Sequence, residues 1–265
     1  MKDKILKELK QIEENYNVKI LYACESGSRA WEFPSKNSDY DVRFIYVHTI
    51  DWYLSIDYKR DVIELPINDL LDINGWELTK ALRLFRKSNP PLLEWLNSGI
   101  VYYQNFSAVD KMKEISNIVY KPTAALHHYL NMAKGNYREY LQGDEVKIKK
   151  YFYVLRPILA CKWIEKYNTI APLEFPNLLE KIVPEGELKN EIRILLKRKI
   201  SGDELDLERR IDLINEFIES EIEHLSEFVK SLNVQQEDPT EELDELFRAV
   251  LTEVWKNPIY LAEKR

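Results

Sequence analysis

The chain has 265 residues, 45% hydrophobic and 31% charged, with a formal net charge of -7, which is ordinary globular composition and too acidic for a protein that coats nucleic acid. Its two cysteines, Cys24 and Cys161, lie far apart and supply neither a disulfide framework nor a zinc site. No apolar run approaches the roughly 20 residues that span a bilayer, and the charged start Met1-Lys2-Asp3-Lys4 does not read as a signal peptide, so a soluble cytoplasmic protein is expected.

Residues 2–16 place Ile5, Leu6, Leu9 and Ile12 at helical spacing among charges, which predicts an amphipathic helix. Val18 to Cys24 reads as a strand, followed by a Gly27-Ser28 turn and a short helical or loop segment to Pro34. Asp41 to Val47 reads as a second strand, and Asp61 to Pro66 as a third, stopped by its proline. From Asp69 onward Leu78, Leu82, Leu84 and Phe85 return to helical spacing, and Asn89-Pro90-Pro91 breaks that helix before another begins at Leu92. Alternating helix and strand in this first part predicts a small mixed sheet with packed helices. After about residue 106 the pattern is almost wholly helical, with a long apolar stripe within 205–232, a linker at Gln235–Pro239 and a last helix from Thr240 to about Trp255. The reading is an α+β chain: an amino-terminal domain over 1–106 carrying a mixed β-sheet, and an all-helical domain over 107–265. The net charge divides as -2 over 1–106, +4 over 107–160 and -9 over 161–265, so a polyanion is drawn to the middle segment and repelled by the last third.

The chemistry concentrates in Gly27-Ser28-Arg29-Ala30, ten residues from Arg29 to Ser38, then Asp39-Tyr40-Asp41 opening the second strand. Strand geometry sends Asp39 and Asp41 to one side. Two carboxylates about 6 Å apart repel by roughly 3 kcal/mol at an effective dielectric of 20, and a divalent cation between them turns that repulsion into binding. A third carboxylate is expected on a neighbouring strand. Glu64, flanked by Ile63 and Leu65, suits the role better than its rival Asp61 beside Arg60. Gly27 admits close backbone approach to a phosphate, and Ser28 adds a hydroxyl and an N–H. Arg29 is placed to pair with phosphate oxygens, and Arg43, on the face of the two aspartates, either restrains them or reaches a triphosphate. In the helical part Lys149, Lys150 and Arg156 interleave with Tyr151, Phe152 and Tyr153, offering charge for phosphates and a ring for a base. His127 and His128 are adjacent, face different ways on a helix, and read as structural or rim residues.

These words resemble the nucleotidyltransferase superfamily typified by DNA polymerase beta, whose signature is an apolar residue, Gly-Ser, about ten residues and Asp-x-Asp. The text is most similar to the bacterial predicted nucleotidyltransferases associated with RNA repair pathways. The resembling stretches are Gly27–Trp31, Ser38–Phe44, Asp61–Pro66, Leu92–Leu96 and Lys149–Tyr153 with Arg156-Pro157, over roughly residues 20–165. The resemblance implies Asp39, Asp41 and Glu64 as ligands of Mg2+ or Mn2+ and a nucleoside triphosphate as donor. It implies Gly27, Ser28, Arg29, Arg43, Lys150, Tyr153 and Arg156 around the nucleotide, and a hydroxyl acceptor, with an RNA 3′ end as the first candidate. Modification of a protein or small-molecule hydroxyl, or a non-catalytic nucleotide-binding module, are the alternatives. Where relatives commonly carry glycine after the tryptophan, this chain has Glu32.

Overall fold

A computed structural model describes residues 1–35, 37–68, 70–202, 207–232 and 238–256. Contacts group them into two compact units, 1–27 with 39–120 and 237–265, and 28–38 with 121–236. This grouping differs from a linear division after residue 106. The first unit takes in α6 (Ala108–Val119) and α12 (Thr240–Trp255), and the second takes in the short segment after the Gly-Ser turn.

The first unit is built on α1 (Lys2–Tyr16), β1 (Val18–Ser26), α2 (Gly27–Ala30, of which only Gly27 belongs here), β2 (Tyr40–His48), α3 (Ile50–Tyr53), β3 (Val62–Glu64), β4 (Leu71–Glu77), α4 (Leu78–Arg86), α5 (Pro90–Leu96) and β5 (Val101–Gln104). The five-stranded sheet has the order β3-β4-β2-β1-β5, with β2 and β4 parallel and the other neighbours antiparallel. The sheet is therefore mixed, as expected. Two of its strands, β4 and β5, were not anticipated. The expected helix from Asp69 is instead a strand to Glu77 and then a helix from Leu78, while Asp69 itself lies outside the described residues.

Alternation assigns the two faces of the sheet. Val42, Phe44 and Tyr46 of β2, with Leu71 and Ile73 of β4 and Ile63 of β3, form one core with Ile5, Leu9 and Ile12 of α1. Asp41, Arg43, Ile45 and Val47 take the other face. Toward the carboxyl ends of β2 and β4 that second face is apolar, with Trp76 packed on Trp95 of α5 at 3.9 Å between ring centroids. Toward the amino ends it becomes polar. The helix that follows β4 starts cleanly because Glu77, fully buried, caps it by accepting from the N–H groups of Thr79 and Lys80 and from the Tyr53 hydroxyl.

The second unit contains α7 (Pro122–Tyr140), β6 (Glu145–Lys147), a 3-10 turn at Ile148–Lys150, α8 (Tyr151–Tyr167), α9 (Phe175–Ile182), α10 (Glu187–Ser201), β7 (Leu207–Arg209) and α11 (Asp212–Ser231). It is helical apart from the two-stranded β6-β7 sheet, which the sequence reading had not separated from its helical surroundings. Segment 28–38 belongs with these helices because Phe33 is fully buried between Phe152 and Phe175, at 5.2 and 5.7 Å between centroids. The Phe175 N–H also donates to the Trp31 carbonyl at 2.9 Å. The linker proposed at Gln235–Pro239 falls mostly outside the described residues. Among the described residues no helix is long and apolar enough to cross a membrane.

Candidate active site

The polar end of the sheet is set by strand register. Asp41 on β2 pairs across to Asp72 on β4, and two residues on, Arg43 pairs with Asn74. Asn74 in turn pairs with Glu64 on β3, so these five side chains share one face. Asp39 lies just ahead of β2, exposed, two residues before Asp41. The Asp41 N–H donates to the Glu25 Oε1 at 2.8 Å. Glu25 is fully buried, and its other oxygen accepts from the Tyr102 hydroxyl. A buried carboxylate thus fixes the backbone that carries Asp41. Beside it, burial pushes the Cys24 thiol up to about 12, so this cysteine stays a protonated, unreactive part of the core.

Gly27 faces Asp41 so closely that a Cβ there would sit 2.1 Å from the Asp41 Oδ2. Its φ of +60° also lies in the left-handed region that glycine occupies without steric cost. Both facts explain why this turn needs glycine.

Arg43 occupies the space between the two aspartates. Its Nη2 donates to the Asp41 Oδ1 at 3.2 Å and the Asp72 Oδ2 at 2.8 Å, and its Nη1 to the carbonyls of Val42 and Asp72, both at 3.1 Å. Of the two roles open to Arg43 from sequence, the structure displays restraint of carboxylates. Glu64 keeps the face expected of it but sits one strand further out, on the sheet edge, roughly 10 Å from β2 by strand spacing. It is ion-paired with Arg60 and accepts from the Asn74 Nδ2 at 3.0 Å. Asp61 lies toward the opposite end of β4 and pairs with Lys80 at 3.0 Å. The carboxylate adjacent to Asp41 is Asp72, which sequence reasoning passed over. Its signal was the alternation of Leu71 and Ile73 with Asp72 and Asn74, a period of two hidden ahead of the leucine-rich helix.

Among the described residues no three acids, histidines or cysteines converge tightly enough to count as a preformed metal cluster. The donor chemistry still fits a hard divalent cation, since Asp41 and Asp72 stand in register on neighbouring strands, Asp39 lies two residues before Asp41, and all three carry hard carboxylate oxygens. The charge such an ion would supply is at present supplied by Arg43.

The remaining expected residues lie in the second unit. Arg29 donates from Nη2 to the Ser38 carbonyl at 2.7 Å, and the Ser28 carbonyl accepts from the Phe33 N–H at 3.0 Å, so both close the loop on itself. Arg156 is only 1% exposed. Its guanidinium lies 4.5 Å from the Trp31 ring, and its Nε donates to the Leu173 carbonyl at 3.2 Å. Trp31 meets the edge of Tyr153 at 6.1 Å, and Lys150 lies over Tyr153 at 5.0 Å and Tyr140 at 4.1 Å. Cation and ring alternate from the buried Arg156 to the more exposed Tyr153 and Lys150. Partial burial and the nearby Lys149 and Lys147 push the Lys150 ammonium below its usual range, and burial with Lys149 does the same to Lys199 of α10. Lys199 is the member of this group that no local motif disclosed. His127 is exposed and His128 packs on the edge of Tyr129 at 5.6 Å.

The family model described as "RNA repair pathway DNA polymerase beta family" matches residues 1–249. The chain is 59% identical over 257 residues to "Uncharacterized protein YcgL" of Bacillus subtilis (strain 168), covering 97% of this chain and 99% of that protein. A solved structure described as a nucleotidyltransferase-like protein from Exiguobacterium sibiricum 255-15 aligns over 93% of this chain and 89% of its own, at 13% identity and a TM-score of 0.29.

Proposed function

Because the chain belongs to the RNA repair pathway DNA polymerase beta family, we propose that it transfers a nucleoside monophosphate from a nucleoside triphosphate to a hydroxyl acceptor, releasing pyrophosphate. One observation carries the reading: Asp41 and Asp72 stand in register on neighbouring parallel strands, with Gly27 pressed against Asp41. Asp39, Asp41 and Asp72 would hold Mg2+ or Mn2+, which when bound supplies charge neutralisation at the phosphates and activation of the attacking hydroxyl. Glu64 is the remaining candidate for the third acid, one strand further out. Glu25 does not touch the reactants; it positions Asp41 through that residue's backbone. Gly27, and Ser28 directly after it in the chain, form the turn at which the triphosphate would approach.

An RNA 3′ end is the acceptor we favour. The family description supports it, as do Lys150, which lies over the rings of Tyr140 and Tyr153, and Lys147, which lies over Tyr140. Cations set beside aromatic rings offer charge for the phosphodiester backbone of RNA and faces for its bases. The test is incubation with magnesium, labelled triphosphates and a mixture of RNA and protein acceptors. Label in RNA, lost in Asp41→Asn, upholds the proposal. Label in protein redirects the acceptor, and nucleotide binding without any transfer overturns the enzymatic reading.

A further inference from the structure

We propose that Arg43 is a built-in counter-cation: it holds Asp41 and Asp72 in the ligand-free protein and yields them when a polyphosphate arrives with its own divalent ion, so that metal and nucleotide load together. The inference rests on the metal-site reading above and concerns how that site is filled.

Two carboxylates on neighbouring strands are about 5 Å apart by strand spacing and repel by several kcal/mol if left bare. Arg43 removes the problem with charge-assisted hydrogen bonds to both. Its four Nη N–H bonds all find acceptors, two on the carboxylates and two on the carbonyls of Val42 and Asp72. A lone dication must therefore compete with a guanidinium that is already well satisfied, and must share its surroundings with that positive charge. A triphosphate changes the balance, because its oxygens are acceptors for the released guanidinium and its charge offsets both cations.

The face also contains a place for Arg43 to go. Asn74 stands in register with Arg43, and its Oδ1 is buried without a hydrogen-bond partner while its Nδ2 donates to Glu64. A buried carbonyl oxygen lacking a donor is costly. In-register side chains on neighbouring strands lie about 5 Å apart, within reach of a guanidinium that has let go of the acids. Arg43 thus has two sets of acceptors on one face, the carboxylates now engaged and the Asn74 oxygen with incoming phosphates.

The experiment is calorimetric titration of Mn2+ into the full chain, with and without α,β-methylene-ATP, for wild type, Arg43→Gln and Asp41→Asn. Wild type is expected to bind Mn2+ weakly alone and about tenfold or more tightly with the analogue, whereas Arg43→Gln binds Mn2+ alone about tenfold or more tightly than wild type and loses most of the dependence on analogue. Equal Mn2+ affinity of wild type and Arg43→Gln, both weakened by Asp41→Asn, overturns the counter-cation role and leaves the metal site standing. Absence of Mn2+ binding in every form, with and without analogue, sinks the metal site itself. Circular dichroism establishes that Arg43→Gln is folded. If it is not, Arg43→Lys decides by the same criterion, since one ammonium spans both carboxylates poorly and should leave Mn2+ affinity above that of wild type.

Discussion

Arg43 and Arg156 were equivalent as sequence, two cations near aromatic or acidic neighbours and both candidates for a phosphate. Their surroundings make them opposites. Arg43 lies on a polar sheet face, partly open, held by two carboxylates. Arg156 is sealed in the helical unit, its guanidinium carbon 4.5 Å from the Trp31 ring centre and its Nε on a main-chain carbonyl. A cation held by anions can be exchanged for another cation, or drawn off by another anion. One that is packed among rings is part of the core, and removing it costs stability before it costs ligand affinity. Charge alone therefore does not mark a binding residue; the chemistry of its neighbours does.

The largest effects should fall on the acids that Arg43 bridges. Asp41→Asn and Asp72→Asn are each expected to lower nucleotidyl transfer by about two to three orders of magnitude, while Glu64→Gln, one strand out and already paired with Arg60, changes it by less than about tenfold. Rates with saturating triphosphate check this. A Glu64→Gln variant as inactive as Asp41→Asn would move the third ligand to β3 and remove Asp72 from the set.

The contrast between the arginines is broken or kept by melting curves. Arg156→Met should cost about 3 kcal/mol through lost stacking and a carbonyl left without its donor, which lowers the melting temperature by roughly 6–12 °C in a chain of this size. Arg43→Gln should lower it as well, through the repulsion left between Asp41 and Asp72, but added Mn2+ should restore that loss and leave the Arg156→Met loss unchanged. An Arg156→Met protein that melts like wild type but no longer binds nucleotide would return Arg156 to the binding residues.

How much of this was legible beforehand follows from what a linear pattern encodes. The Gly-Ser turn and the Asp-x-Asp strand were readable because glycine, small residues and paired acids have few other reasons to occur at that spacing. Asp72 was not, because β4 turns half of one face to the polar site, so its alternation is too polar to stand out beside Leu78, Leu82 and Phe85. Glu64 was read onto the correct face, since alternation reports faces. Alternation does not report which strands are neighbours, and the spatial order β3-β4-β2 places an unanticipated strand between Glu64 and Asp41. The burial of Arg156 was invisible for a related reason: Trp31, its platform, is 125 positions away in the chain.

His48 extends the comparison to a group that is a cation only on demand. Its ring stacks on Trp52 at 4.1 Å with 6° between planes, and burial, aided by the Lys59 charge, pushes its pKa down to about 4 from 6.5. The unfolded chain therefore binds a proton at His48 before the folded one does. The resulting stabilisation is fully present above about pH 6.5 and is lost as pH falls toward 4. Across that window the melting temperature of wild type should fall more steeply than that of His48→Gln, although the variant starts lower for want of the stacked ring. Parallel slopes for the two proteins would mean that the ring is solvated enough to charge freely.

The smallest effect concerns Glu32, beside the ring on which Arg156 rests. Its φ of 61° is left-handed, a conformation that costs a residue with a Cβ about 1–2 kcal/mol and glycine almost nothing. Glycine is the residue that this backbone conformation favours. Glu32→Gly removes the strain but enlarges the freedom of the unfolded chain by about 0.4–1 kcal/mol, so the net gain should be near 0.5 kcal/mol, or about 1–2 °C in melting temperature. The side chain is exposed and its N–H already donates to the Arg29 carbonyl at 3.2 Å, a bond glycine keeps. A fall in melting temperature would therefore mean that the carboxylate itself stabilises the turn. A rise with unchanged nucleotide affinity would place Glu32, like Arg156, on the structural side of the comparison, whereas a rise with tighter triphosphate binding would mark its negative charge as a brake on the incoming polyanion.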